Sequence, residues 1–203
     1  MKKLLFLFCC AFLSSMVSFG QAEVAIGIKG GLNFANINPS QSAGANYDSR
    51  TGYHFGAFAL FKLSKIGIQP EVLFSKQGTK YSFSTTSTDA NFDYINIPVI
   101  LKIYLVAGLN LQVGPQIGFV SGGDVKTTDK ISGITSTQSA KDFVKGSDTS
   151  VALGAGWDLP FGLNIDARYN LGVSSNSING SSTTFKNQVF QISAGFKLIK
   201  FGK

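Results

Sequence analysis

The chain has few residues that carry reactive chemistry. Of 203 residues only two are cysteine and one is histidine, and charged residues make up 14%. Both cysteines, Cys9 and Cys10, lie near the N-terminus. If that segment is removed, the rest of the chain has no thiol for a disulfide, a metal ligand or a nucleophile. Beyond the N-terminus, no apolar run is long enough for a transmembrane helix.

The first residues have the pattern of a secretory signal peptide. Met1-Lys2-Lys3 forms a basic start, residues 4–17 are apolar, and Ser18-Phe19-Gly20 follows. We expect cleavage after Gly20, which gives a signal peptide over 1–20 and one mature domain over 21–203. The alternative is an uncleaved anchor helix, for which this apolar run is short.

The charge of the chain is moderate and widely spread. The formal net charge is +7, and loss of Lys2 and Lys3 leaves 16 basic and 11 acidic residues, or +5. The basic residues form no dense block of the kind found in nucleic-acid binders. We therefore expect no nucleic-acid partner.

What the chain does have is alternation. In residues 163–172, LNIDARYNLG, every second residue is apolar and the others are polar or small, which predicts a strand with two different faces. Each predicted strand has about the length that a tilted transmembrane strand needs. Similar segments recur at about 24–36, 52–63, 66–77, 92–105, 109–121, 149–159, 163–172 and 188–198.

The connections between these segments alternate in length. Short turns fall near 64–65, 107–108 and 160–162, and long polar loops at about 37–51, 78–91, 122–148 and 174–187. Short turns at one end and long loops at the other are typical of outer-membrane barrels. We predict an all-β fold, an eight-stranded antiparallel up-and-down transmembrane β-barrel. Pro70, Pro98 and Pro115 fall inside predicted strands, where we expect bulges or strand ends.

The two faces of the predicted strands indicate which side is inside. One face is rich in Leu, Ile, Val and Phe; the other carries Gly, Ala, Ser, Asn and Gln with isolated charges. Small residues suit the crowded interior of an eight-stranded barrel, and the apolar face then meets lipid. A soluble barrel of the lipocalin type is the alternative. Two predicted aromatic girdles favour the membrane: Phe61, Tyr104, Trp157, Phe161 and Phe201 near the short turns, and Phe34, Tyr53, Phe74, Tyr81, Phe92, Phe119 and Phe190 near the long loops.

Eight charged residues share the face predicted to line the lumen. Unpaired charges in so narrow a barrel would be costly, so we predict a lumenal ion-pair network. It could simply fill the barrel, or it could form a gated polar pore or a small-ligand site. The residues are Lys29, Lys62, Glu71, Lys102, Asp158, Asp166, Arg168 and Lys197.

Catalytic and metal-binding patterns are weak. His54 could act as a base with Asp48 or Ser49 nearby, but a lone histidine without a motif is more often a hydrogen-bonding residue of a rim or lumen. No cluster of histidine, cysteine and aspartate predicts a metal site. We expect no cofactor and no catalytic residues.

Several segments resemble the PorT-like family of outer-membrane β-barrel proteins of Gram-negative bacteria. They are GIKGGLNFANI, GIQPEVLFSKQGTKY, DYINIPVILKIYL, GLNLQVGPQIGFVSGG and ALGAGWDLPFGLNIDARYNLGV, and the tracts 93–123 and 153–172 are the most specific. The resemblance implies an outer-membrane barrel in a family whose members mostly have no assigned role. The founding member is linked to protein secretion, but the matching segments build the barrel, so we transfer neither that role nor any site residue.

Together these patterns predict a multi-pass protein of the cell outer membrane, embedded in outer-membrane lipid. The leading function is non-enzymatic: a structural or surface-interaction protein that contacts an unknown extracellular or periplasmic partner, chiefly through extracellular loops. The alternative is a narrow pore or small-ligand transport barrel. An outer-membrane hydrolase, through His54, is a third hypothesis.

Overall fold

The strands account for most of the chain. The computed structural model describes residues 22–39, 46–82, 85–140, 147–173, 176–177 and 184–202. The segment 1–20 lies outside the described residues, so its role as a signal peptide stays a prediction. The described strands are β1 (Ala22–Pro39), β2 (Asn46–Leu63), β3 (Ile66–Ser82), β4 (Thr86–Tyr104), β5 (Leu109–Asp129), β6 (Thr135–Ser139), β7 (Ser147–Asp158), β8 (Leu163–Gly172), β9 (Asn176–Ser177) and β10 (Thr184–Phe201).

Eight of these strands close into a ring. Their order is β1-β2-β3-β4-β5-β7-β8-β10, and β10 pairs back with β1. Neighbours in the ring are antiparallel. The short strands β6 and β9 lie outside the ring and pair with β5 and β10. The predicted eight-stranded up-and-down barrel is therefore confirmed, and closure leaves the ring no free strand edge.

Side chains alternate between the lumen and the outer surface. In β8, Asn164, Asp166 and Arg168 are at most 2% exposed, whereas Ile165 and Tyr169 are 44% and 39% exposed. The same alternation runs through the ring strands, so a belt of Leu, Ile, Val and Phe faces outward. A soluble barrel would bury this set in its interior; here the interior is polar, as in a membrane barrel. No helix among the described residues is long and apolar enough to cross a membrane.

One end of the barrel carries the tight turns, the start of β1 and the end of β10. The turns lie at 64–65, 105–108 and 159–162, where Ser64, Ala107, Gly108 and Gly162 have positive φ. Ala22 pairs with Leu63, and Val24 with Phe201, at the same end. We call this the turn end and the opposite one the outer end. The three predicted short turns are confirmed.

The strands at the outer end are longer than predicted. The segment 78–91 was expected to be a loop, yet β3 continues to Ser82 and β4 begins at Thr86. Likewise β5 extends to Asp129, and β6 forms a hairpin with it inside the predicted loop 122–148. The error came from ending each strand where apolar alternation stops. Serine and threonine pair well in strands, and outside the bilayer no apolar face is needed.

At the prolines we expected bulges or strand ends, and the strands do not end there. Pro70, Pro98 and Pro115 all lie within strands. Each is paired with one neighbouring strand, as Pro70 is with Val99 of β4. On the other side the ladder is interrupted: the pairing of β2 with β3 passes from Phe58–Glu71 to Phe61–Ile68 and omits the proline. The missing N–H falls in that gap, so little is lost.

Candidate functional site in the barrel interior

Four buried charges meet at the middle of the lumen, and we call them the central cluster: Lys29, Glu71, Asp166 and Arg168. The Arg168 guanidinium donates two parallel hydrogen bonds to Glu71, at 2.7 and 2.8 Å. Lys29 Nζ donates to Asp166 Oδ1 at 2.8 Å and lies 3.5 Å from Glu71 Oε1. Each side chain is at most 2% exposed. Two positive and two negative groups leave the cluster formally neutral, which is what a low-dielectric interior requires.

The central cluster joins opposite walls of the barrel. Glu71 is on β3 and Arg168 on β8, which are four positions apart in the ring of eight. Their bidentate pair therefore crosses the lumen. Neutral amides complete the layer: Gln112 accepts from Arg168 Nε at 2.6 Å, and Gln69 donates to Glu71 at 2.7 Å. At this level, side chains from β3, β5 and β8 therefore meet inside the lumen.

A second group of charges lies nearer the turn end, and we call it the turn-end cluster: Glu23, Lys102, Asp158 and Lys197. Asp158 lies 3.1 Å from Lys102 Nζ and 3.2 Å from Lys197 Nζ, and Lys197 donates to Glu23 at 2.7 Å. Lys102 on β4 and Lys197 on β10 are again four positions apart in the ring. The cluster therefore bridges the lumen a second time. It too is formally neutral.

Two side chains depart from their predicted places. Lys62 Nζ lies 4.0 Å from the ring centroid of Tyr104, a cation–π contact rather than the ion pair expected of it. Tyr104 was assigned to the aromatic girdle near the short turns, on the lipid-facing surface. It is instead buried in the lumen, where its hydroxyl donates to Asp158 at 3.0 Å. Its parity matches Lys102, so alternation should have outweighed its aromatic character.

Apolar packing also fills the turn-end half of the lumen. Ala25, Phe58 and Leu60 form a small buried cluster. A Cβ at Gly27 would lie 2.5 Å from Phe58 Cζ, so the absence of a side chain at Gly27 makes room for that ring. Phe58 and Leu60 share the strand parity of His54 and Lys62, so alternation alone places them on the lumen face.

Toward the outer end, hydrogen-bonding side chains replace the charges, and we call them the amide layer: Asn33, His54, Ser75, Gln191 and Ser193. Asn33 Oδ1 can only accept, so His54 Nδ1 donates to it at 2.7 Å. Nε2 lies 2.9 Å from Ser193 Oγ. Gln191 donates to Asn33 Oδ1 at 2.8 Å, and Asn33 donates to Ser75 at 2.9 Å.

This order of serine, histidine and amide resembles the arrangement of a hydrolytic triad, but it is enclosed. Ser193, His54 and Asn33 are at most 3% exposed. A nucleophile must lie about 3 Å from a substrate carbonyl that is itself held by oxyanion donors. The lumen around Ser193 is occupied by the side chains of the amide layer and the central cluster. The predicted neighbour of His54, Asp48, pairs with Lys80 along the strand register instead.

Among the described residues, no group of three or more His, Cys, Asp or Glu side chains could hold a metal ion. The carboxylates of the lumen are instead matched to lysine and arginine. A carboxylate that is already paired with lysine or arginine has few free oxygen lone pairs to coordinate a metal cation.

A sequence model of the outer membrane protein β-barrel domain matches residues 18–177, most of the chain. The chain belongs to this family. The outer-membrane location that the apolar belt predicted is therefore confirmed.

Solved structures of two proteins show the same barrel fold. Neisserial surface protein A is 12% identical, with a TM-score of 0.55, over 86% of this chain and 99% of that one. Ail, the attachment invasion locus protein of Yersinia pestis, is 15% identical, with a TM-score of 0.53, over 91% of this chain and all of that one. A second structure of Ail, in complex with the heparin analogue sucrose octasulfate, gives the same TM-score of 0.53. At these identities the likeness concerns the fold. Among curated proteins, none matches this chain in sequence.

Proposed function

We propose that this protein is a sealed, non-catalytic barrel in the outer membrane. Its strands extend beyond the lipid at the outer end, and there they contact another molecule. The observation that carries the proposal is the bidentate pair of Arg168 with Glu71, which crosses the lumen with both side chains buried. An ion or solute crossing the barrel would have to break it, and separating such a pair inside a protein costs about 3–5 kcal/mol. The turn-end cluster would have to open as well.

Sealing is tested by conductance. The purified barrel in a planar lipid bilayer should show no steady openings, in contrast to a large porin measured in the same bilayer. The double variant Arg168→Ala with Glu71→Ala removes the cross-lumen pair and should give brief openings or leak. Lasting conductance of the unmodified barrel would overturn the sealed state and favour the narrow pore.

The surface role rests on the strands beyond the apolar belt. Strands β3, β4, β5 and β6 remain paired along their outer ends, so they form an ordered sheet outside the bilayer. At the tip of the β5–β6 hairpin, Ile131 and Ile134 are 81% and 70% exposed. Exposed apolar residues on a rigid support are typical of a contact surface.

Orientation can be tested with single cysteines, because the mature chain we predict has none. Ser136→Cys on β6 should react with a membrane-impermeant maleimide on intact cells. Ser64→Cys, in a turn at the opposite end, should react only after the outer membrane is opened. The reverse pattern would place the hairpin in the periplasm and refute display at the surface.

Charge at the outer strand ends is mixed. Lys76 lies 3.7 Å from Asp93, and Lys126 lies 3.5 Å from Asp124. The heparin analogue bound by Ail is a polyanion by its name, and alternating signs do not favour such a ligand here. We propose a partner held by neutral and apolar contacts.

We also propose that the chain belongs to the PorT-like group of outer-membrane barrels, supported by the tracts 93–123 and 153–172. A role in secretion does not follow from these barrel-building segments. If the protein acted in secretion, deletion of its gene would leave exported proteins inside the cell, and we expect secretion to be unchanged.

A hydrolase is disfavoured by the burial of Ser193. His54→Ala should leave any lipase or peptidase activity of the purified barrel at the level of the unmodified protein. A loss of such activity in this variant would restore the enzymatic hypothesis.

A further inference from the structure

An apolar groove interrupts the outward belt of the barrel. It crosses β2, β1, β10 and β8, which are neighbours in the ring, and holds about 450 Å³. Its walls are large side chains that face away from the lumen, and Phe55 and Phe196 are 55% and 45% exposed. The outward residues that line it are Ile28, Gly30, Phe55, Leu163, Ala194 and Phe196.

The floor of the groove is made by two small residues. Gly30 of β1 pairs with Ala194 of β10, and strand parity turns both of them outward. On β1 the outward residues on either side of Gly30 are large, Ile28 and Leu32, and on β10 Ala194 lies between Ile192 and Phe196 in the same way. The belt of side chains is therefore thinner at this pair than around it.

The glycine at position 30 is explained neither by its backbone conformation nor by crowding among the described residues. Its φ is not in the left-handed region. A Cβ at Gly30 would lie 3.3 Å from the His54 carbonyl oxygen and 3.7 Å from Phe55 Cβ, so a side chain fits with a small adjustment. Gly31 differs, because a Cβ there would collide with the carbonyl oxygen of Ile192. A glycine inside a strand often marks the close approach of a ligand.

The depth of the groove decides what can fill it. Along β1 the outward belt extends from Val24 to Phe34, and Ile28 and Gly30 lie near its middle. At that level a membrane barrel faces the hydrocarbon of the bilayer, which lipid headgroups and water do not reach. The groove is continuous with the lipid-facing surface of the barrel, so its occupant must be apolar.

We propose that this groove binds one acyl chain of a bilayer lipid. Lys29 also lines the groove, but its ammonium lies in the lumen and bonds to Asp166, so the lining offers a hydrocarbon chain an apolar surface. Lipid tails are as apolar as the belt, so binding depends on close packing rather than on the hydrophobic effect. An unfilled groove would lose the van der Waals contacts that its walls can make.

The walls should hold a chain in the groove longer than a lipid elsewhere on the belt. A chain between Phe55 and Phe196 contacts the barrel from below and from both sides, whereas other lipids contact it from one side. This site is separate from the proposed surface contact, which lies at the outer strand ends, and neither depends on the other.

The experiment measures nuclear Overhauser effects (NOEs) between isoleucine methyl groups and lipid chains. The barrel is deuterated except at the isoleucine methyl groups and is placed in nanodiscs of phosphatidylglycerol with protonated chains. Ile28 reports on the groove, and Ile97, an outward residue of β4, reports on the belt elsewhere. We expect a stronger NOE from acyl methylene protons to Ile28 than to Ile97, because the bound chain stays longer against the barrel.

Filling the groove should remove this difference. Gly30→Leu places a side chain on the floor, and the NOE to Ile28 should fall to that of Ile97. Ala155→Leu is the matched control, since Ala155 faces outward on β7 and does not line the groove, so the excess at Ile28 should remain. Ala194→Leu fills the same floor from β10 and replaces Gly30→Leu if that variant does not fold.

Two outcomes would overturn the proposal outright: equal NOEs to Ile28 and Ile97 in the unmodified barrel, or loss of the Ile28 excess in Ala155→Leu. A second copy of the barrel is another apolar body that reaches this depth. To test it, methyl-labelled barrels are mixed with barrels that carry protonated phenylalanine rings. A ring NOE to Ile28 in this sample would show protein in the groove and would overturn the lipid as well.

Discussion

Arg168 holds together the most demanding contact in the lumen. It bonds Glu71 twice and lies 3.1 Å from Asp166 Oδ1. Arg168→Met would leave two buried carboxylates against Lys29. Removing one partner of a buried pair costs about 3–5 kcal/mol. We expect a loss of that size in the free energy of unfolding, measured by urea denaturation of the barrel in lipid vesicles.

Two further variants separate charge from packing. Arg168→Met combined with Glu71→Met restores charge balance with Lys29 and Asp166, and should be more stable than the single variant. Lys126→Met removes an exposed pair with Asp124, which should change stability by less than about 1 kcal/mol. Equal losses for Arg168→Met and Lys126→Met would contradict the role assigned to the central cluster.

The charged residues of the lumen were predictable from the sequence, whereas its asparagines and glutamines were not. Strand parity is enough to place Lys29, Glu71 and Arg168 inward, because it is a local property of the backbone. Which charge meets which also depends on the register between the strands, and the sequence does not show that register. Glu23 was missed because the first strand was predicted to begin at residue 24, two residues later than it does. The amides were missed because Asn and Gln carry no charge that must be balanced.

The tight turns restrict which residues the strands can tolerate at their ends. Gly108 has a φ of +84°, and a Cβ there would collide with the Asp158 carbonyl. Gly133 has a φ of +71° and nothing within 4 Å. Both alanine variants bear a left-handed backbone cost of about 1–2 kcal/mol. Gly108→Ala should lower the melting temperature more than Gly133→Ala does. An equal decrease would show that the Asp158 carbonyl moves aside at no cost in stability.

The tip of the β5–β6 hairpin should respond to acid. The backbone N–H groups of Ser132 and Ile131 donate to the Asp129 carboxylate and lower its pKa from the usual value. Because the pKa in the folded turn lies below the unfolded one, the turn is stabilised above the unfolded pKa. That stabilisation is lost as pH falls through the folded pKa.

NMR shifts of the Ile131 and Ser132 amides should therefore change cooperatively below the normal aspartate pKa of about 3.9. Asp129→Asn keeps the shape and removes the titration, so the step should vanish. A step that survives in Asp129→Asn would have to come from another carboxylate.

The strands that cross the bilayer were predictable, and their extensions were not. Within lipid, each outward position must be apolar, so Leu163, Ile165 and Leu171 reveal β8 directly. Beyond lipid that requirement ends. Thr86, Thr88 and Thr127 pair across β4 and β5 without an apolar pattern, and their pairing depends on the strands already aligned below them.

The barrel and its outer sheet should be separable. Val125 pairs with Gln138, so an Asn-Gly turn could replace residues 126–137 without moving the ring. The lumen clusters and the apolar belt stay intact in this variant. We expect an unchanged urea midpoint, with loss of any binding by the hairpin. A lower midpoint would mean that the outer sheet stabilises the barrel itself.

The pairing of β1 with β10 restricts how the barrel can fold in the membrane. Val24 pairs with Phe201, so the strand of the ring that comes first in the chain pairs with the strand of the ring that comes last. Until β10 arrives, β1 and β8 each present an unpaired edge that lipid cannot satisfy. A half-formed ring in the bilayer would leave two rows of backbone groups without partners, so we expect the ring to close as the strands enter the lipid.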